Sequence, residues 1–183
     1  MATTKSASSK PLAIETLMAD HRKVEALFDK YESAKDAEDE SRRDIAEMIC
    51  AELIEHATLE EEIFYPWLRE ALEEDDMEMV EEAQVEHDGA KDLIAQIQGA
   101  TAIDAVYDAK VKVLSEYIKH HVKEEEKEIF PAVADEKEDL DELGEQIEAR
   151  RVELKETAMP AGAQAAAMRK PSNGAGARKG APR

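Results

Sequence analysis

Two short stretches of the chain carry the same residue types at the same spacing. HATLEEEIFYP begins at His56 and HVKEEEKEIFP at His121. In each, a histidine is followed four residues on by a glutamate (Glu60, Glu125) and ten residues on by a proline (Pro66, Pro131). The two stretches are offset by 65 residues, and two further histidines, His21 in DHRKVEAL and His87 in EHDGAKDL, lie 66 apart. Residues four apart share one face of an α-helix, so each His–Glu pair can converge on a common point. Imidazole nitrogen combined with carboxylate oxygen suits iron, manganese or zinc, and bridging carboxylates suit a pair of ions. The bland alternative is a core of histidine–carboxylate hydrogen bonds that satisfy one another. Against it stands the cost of burial, on the order of several kcal/mol for an unpaired carboxylate unless its pKa shifts until it is neutral. Six such residues in a duplicated pattern favour the metal.

The elements that must position these residues are helices. Ile14, Leu17, His21, Val24, Phe28 and Tyr31 recur at steps of three and four, with Pro11 suited to the first turn. After the polar stretch SAKDAEDES, a second stripe runs from about Arg42 through Ile45, Ile49, Leu53, His56, Glu60 and Ile63, and Pro66 is expected to bend or break it. A third begins near Asp76 and carries Met79, Ala83, His87, Ala90, Ile94 and Ile97 to an end near Gly99. A fourth, with Thr101 as N-cap, carries Val111, Leu114, Ile118, His121, Glu125 and Ile129 and is closed by Pro131. All six candidate residues therefore fall on apolar stripes. Two antiparallel helical hairpins related by an approximate twofold would bring them to one level of a bundle. His120, Glu124, Glu126 and Lys127 lie off the stripe and read as a solvated face, with His120 as a possible extra ligand or supporting group.

Composition agrees with an all-α class. Charged residues make up 37% of the 183 residues and aromatics 4%. The chain reads as a lead-in over 1–10, a four-helix bundle over 11–134, an additional helix over 135–156 carrying Leu140, Leu143, Ile147 and Leu154, and a disordered tail over 157–183. That tail is rich in Ala, Gly and Pro, with five basic residues after the acid Glu156. The formal net charge of −20 argues against nucleic acid or anionic membrane as a partner for the body. Cys50 is the one cysteine, which excludes a disulfide framework and fits a buried thiol. No run approaches the roughly 18 apolar residues of a membrane span, and the start lacks an apolar secretory stretch; the expectation is a cytoplasmic protein.

At these residues the sequence resembles the hemerythrin-like HHE cation-binding family, over roughly residues 11–134. The resemblance implies an up-down four-helix bundle around a non-haem di-iron centre, two iron ions with an oxo, hydroxo or water bridge. By position, His21 and His56 would bind one iron and His87 and His121 the other, with Glu60 and Glu125 bridging. The chain departs from the oxygen-carrying members in two places. Ala83 stands where they carry a fifth histidine, and His-x-x-x-Glu replaces their later aspartate on the fourth helix. Both departures resemble the branch associated with iron or oxygen sensing and stress responses. The absent ligand leaves a coordination position that Glu25 or Glu61 could fill, although both also read as surface acids. Tyr31, Tyr65, Tyr107 and Tyr117 are possible phenols behind the ligands or packing residues, and Trp67 is a packing residue.

Three functions compete. The preferred one is a protein that binds or senses a small ligand such as oxygen or nitric oxide, or reports iron and oxygen status. The alternative is a di-iron redox enzyme acting on peroxide or nitric oxide, or an iron-handling protein, although no reductase module is recognisable. The third is an interaction module whose metal only stabilises the bundle and whose basic tail recruits a partner. A Ser/His/Asp or Cys/His nucleophile has no support, since every interior histidine already lies on the candidate metal stripe, and no glycine-rich phosphate loop is present.

Overall fold

The computed structural model describes residues 10–73 and 77–158. The lead-in and the tail expected at the two ends lie outside the described residues but for Lys10, Thr157 and Ala158. Among the described residues the chain is all-helical: α1 Leu12–Ser33, α2 Asp39–Leu59, α3 Tyr65–Ala71, α4 Met77–Gln98, α5 Ala105–Glu124, α6 Phe130–Val133 and α7 Lys137–Ala158. Single π-helical turns, Glu60–Phe64 and Glu125–Ile129, join α2 to α3 and α5 to α6 without a break. Helices α1, α2, α4 and α5 form the up-down bundle, with α1 packed on α2 and α4 on α5. Helix α7 is the expected extra helix, laid along α1.

The stripes become two apolar clusters with the histidine layer between them. On one side lie Val24, Phe28, Ile49, Leu53, Ile94 and Leu114; on the other, Leu17, Leu59, Phe64, Val80, Ile129 and Phe130. Each bundle helix passes from one cluster to the other, and its histidine falls at the crossing. Leu140, Leu143 and Ile147 of α7 complete the second cluster.

Three expectations about helix ends are corrected. Pro66, expected to bend or break its helix, does not break it, and Pro131 does not close the other. A proline has no N–H to donate, and its ring collides with the carbonyl four residues back. Here the preceding turn widens instead: Tyr65 N–H donates to the Glu60 carbonyl, and Phe130 N–H to that of Glu125, five residues apart. The inserted residue rotates the stripe. Phe64 and Tyr65 are fully buried and Ile63, expected inside, is only partly so. The N-cap of α5 is Asp104, not Thr101, its carboxylate accepting from Val106 N–H and Tyr107 N–H.

Gly144 lets α7 lie against the start of α1. A Cβ there would stand 2.6 Å from Leu12 Cγ and 2.7 Å from Ala13 N. Since α1 backbone cannot yield as a side chain tip does, Gly144→Ala is expected to destabilise the fold by about 1–3 kcal/mol, more than the roughly 1 kcal/mol alanine gains in helix propensity. The urea midpoint should fall; an unchanged midpoint would mean that α7 is not seated this way.

Candidate metal centre

The structure brings all six sequence-predicted residues into one buried layer. His21, His56, His87 and His121 are 2–6% exposed, and Glu60 and Glu125 are fully buried. The histidines meet in pairs through Nε2, His21 to His56 at 3.2 Å and His87 to His121 at 3.1 Å. Glu60 straddles the pairs, with Oε1 3.1 Å from His56 Nε2 and Oε2 3.3 Å from His87 Nε2. Glu125 straddles them from the other helix, its Oε2 3.2 Å from His21 Nε2 and 3.6 Å from His121 Nε2. Two groups of donors follow: His21, His56, Glu60 and Glu125, and Glu60, His87 and His121, each with ligand atoms within 4.8 Å of one another.

Every imidazole is turned the same way. Its Nδ1 faces a carboxylate: His21 faces Glu126 at 2.9 Å, His56 faces Asp20 at 3.3 Å, His87 faces Glu61 at 2.9 Å, and His121 faces Glu86 at 2.8 Å. An ionised carboxylate only accepts, so Nδ1 carries the proton and donates, leaving the Nε2 lone pairs to point inward. These four acids are themselves duplicated, at 20 and 86 and at 61 and 126. Sequence reasoning missed Asp20, Glu86 and Glu126 and left Glu61 as a possible ligand; the signal was an acid beside each histidine or glutamate of the repeat. One residue off a buried stripe sits at the seam between helices, where a carboxylate reaches the neighbouring helix's ring. Behind them stand cations. Arg151 of α7 donates to Asp20 at 2.7 Å and to Glu55 at 2.6 Å, Lys91 donates to Glu61 at 2.6 Å, and Arg22 pairs with Glu126.

The inner layer demands positive charge. Burial alone would push the His56 imidazole down, but Glu60 and Asp20 outweigh it and raise it to about 10. At His121 burial is likewise overcome by Glu125 and Glu86, raising it to about 9. Burial would raise the Glu60 carboxyl, yet the facing His56 and His87 hold it well below the usual carboxylate range. Protons on imidazoles or bound cations can supply that charge, and the geometry favours cations. Glu60 Oε1 and Oε2 and Glu125 Oε2 are buried beside imidazole nitrogens yet receive no aligned hydrogen bond. Oxygen and nitrogen donors that crowd together without pointing at one another suit ions held among them.

The two halves differ by one hydroxyl. Phe130 stacks on His21, with centroids 5.9 Å apart and planes 6° from parallel, and Tyr65 stacks on His87 at 5.3 Å. Only Tyr65 has an oxygen, which lies 3.2 Å from His87 Nε2 and donates to Glu125 Oε1 at 3.1 Å. Burial and the Glu125 and Glu60 carboxylates hold that phenol well above its ordinary pKa. Of the four tyrosines considered from sequence, Tyr65 enters the layer; Tyr31 donates instead to Asp108 at 2.7 Å. Glu25 is engaged by Arg22 at 2.6 Å rather than by the layer. Trp67 stacks on Phe64 as packing, and Cys50 is a buried thiol that burial raises to about 11.

An all-helical bundle with a buried layer of imidazoles and carboxylates between two apolar clusters defines a cation-binding helical protein. A sequence model of the hemerythrin HHE cation-binding domain matches residues 12–133, and the chain belongs to that family. A crystal structure of a hemerythrin HHE cation-binding-domain-containing protein of Mycobacterium kansasii is similar in fold. Its TM-score is 0.66 at 23% identity, covering 82% of this chain and 90% of that one. A DNA nickase of Nostoc sp. is 28% identical over 119 residues, 65% of this chain and 32% of that protein, so the chain spans about a third of that relative's length. Among the described residues no helix is long and apolar enough to cross a membrane.

Proposed function

We propose that the chain is a non-haem di-iron protein that binds or senses a small ligand, oxygen or nitric oxide, or reports iron and oxygen status. His21 and His56 would hold one iron and His87 and His121 the other, with Glu60 and Glu125 shared. Bound iron supplies a redox-active pair of ions able to interact with such a ligand. The observation that carries the reading is a pocket of about 20 Å³ lined by all four histidines and walled by Val24, Leu53, Ile94, Ile118 and Val122. It has room for about one water-sized molecule, so its size and apolar walls favour a diatomic ligand over an organic substrate. Asp20, Glu61, Glu86 and Glu126 fix the tautomer and aim of each ring. The chain's own contribution is thus a pre-set donor layer beside a small, mainly apolar pocket.

Iron content and optical spectra of the anaerobically reduced protein, before and after oxygen, test this. Two irons per chain and a reversible oxygen-dependent band are expected. Leu53→Phe, which narrows the pocket without touching a donor, should keep the iron and weaken ligand binding by at least about tenfold. The Tyr65 phenol, which keeps its proton in a hydrogen bond to Glu125 and could give up an electron only together with that proton, favours the second reading, a redox enzyme acting on peroxide or nitric oxide, or iron handling. Irreversible oxidation with sustained turnover would select it. Absence of stoichiometric metal would sink both.

A further inference from the structure

The supporting carboxylates are not all treated alike. Asp20, Glu61 and Glu126 are each engaged by a lysine or arginine, whereas Glu86 has neither among the described residues. Glu86 is 8% exposed and uses Oε2 to accept from His121 Nδ1. Its Oε1 points the other way, 3.8 Å from Nε2 of His120, and that nitrogen is 3.0 Å from Glu124 Oε1. His120 and Glu124 repeat the His-x-x-x-Glu spacing of His121 and Glu125 one residue earlier, on the outer side of α5. Ligand atoms of Glu86, His120 and Glu124 lie within 4.8 Å of one another. His120, whose side chain is 55% exposed, can be reached from solvent.

Two members of this triad, Glu86 and Glu124, also line a second pocket of about 40 Å³, together with Glu82, Ala83 and Glu128, and His121 and Glu125 of the inner layer border the same pocket. No lysine or arginine lines it. At its inner end Glu125 Oε2 is fully buried and has no hydrogen-bond partner. Carboxylates at the mouth, along the wall and at the end make a route that attracts cations at every step. Ala83, in place of a larger side chain, helps to keep it open.

We infer that Glu86, His120 and Glu124 form a third, outer site for a divalent transition-metal ion, at the mouth of an acidic passage to the buried layer. A cation there supplies the charge that an arginine or lysine supplies behind the other three carboxylates. One imidazole and two carboxylates, open to water, suit a divalent ion held weakly enough to move on. The site itself is independent of what the inner layer holds; its role as the entrance for iron rests on the proposed metal centre.

The test counts zinc bound at equilibrium by wild type, His120→Ala and Glu124→Ala, starting from chelator-treated protein. Wild type is expected to bind one zinc per chain more than either variant, whatever number the inner layer takes. Equal counts would overturn the outer site. Stopped-flow loading with ferrous iron then tests the passage: His120→Ala should reach the same final inner occupancy several-fold more slowly. Loading at the wild-type rate would overturn the entrance role. An inner layer that never loads, with the one-zinc difference intact, would count against the proposed function and leave the outer site standing.

Discussion

Glu60→Gln is expected to lose most of its bound metal at both inner positions while still folding. The substitution keeps the shape of the side chain and removes the charge shared between His56 at 3.1 Å and His87 at 3.3 Å. Loss of a carboxylate that merely supports a ligand histidine costs about 10–100-fold in affinity, so Asp20→Asn or Glu61→Gln should fall in that range. On the proposed reading, in which two ions share Glu60, Glu60→Gln acts on the donor set itself and should exceed about 100-fold, because both halves would lose a ligand and the remaining charge would no longer balance two divalent ions. Metal per chain after dialysis against a weak chelator, with circular dichroism to verify folding, gives the answer. Wild-type metal retention in Glu60→Gln would remove this carboxylate from the centre. Glu125→Gln is expected to behave alike, with Tyr65 losing its charged acceptor as well.

The second large effect is an alkaline loss of stability in the metal-free protein that metal loading should abolish. His56 and His121 are raised to about 10 and about 9 in the fold, against about 6.5 in an unfolded chain. A raised pKa means that the folded state holds the proton more tightly. The stabilisation is therefore complete below about pH 6.5 and is lost progressively as pH rises through 9 and 10. For chelator-treated protein the loss should reach the order of a few kcal/mol. Metal loading displaces those protons, so about two should be released per chain near neutral pH. The loaded protein should then hold its melting temperature through the alkaline range in which the stripped protein loses it. At the acid end, the depressed Glu60 works the other way: its contribution disappears as pH falls through its folded pKa. Melting curves of both forms from pH 5 to 10 would expose the pattern, and parallel curves would refute it.

The fold and the six inner residues were legible because one rule served both. A stripe at steps of three and four defines each helix, and a polar residue on that stripe is buried for a reason. Ile14 to Tyr31 and Val111 to Ile129 follow it without a miss. What the stripe could not show lies beside it or across it. Asp20, Glu61, Glu86 and Glu126 are one position away from the inner residues, and their partners sit on other helices, so periodicity within one helix assigns them to solvent. The π turns were illegible for a related reason. Pro66 and Pro131 announce that α-geometry must yield, but the choice between a break and a widened turn depends on the packing that holds Phe64, Tyr65 and Phe130 in the core. Tyr65 reaches Glu125 only because that turn was widened rather than broken.

Helix α7 bears on how this centre could be moved to another protein. Likeness to the family runs out at Val133, yet Leu140, Leu143 and Ile147 cover the same cluster as Leu17, and Arg151 holds Asp20 against His56. A segment cut at the edge of the likeness would keep all six inner residues. It would also wet one end of the core and let Asp20 swing toward water, loosening one ring in four. For transplantation into a designed scaffold, the portable unit is five long helices, and the last brings none of the six inner residues but steadies one of them, His56.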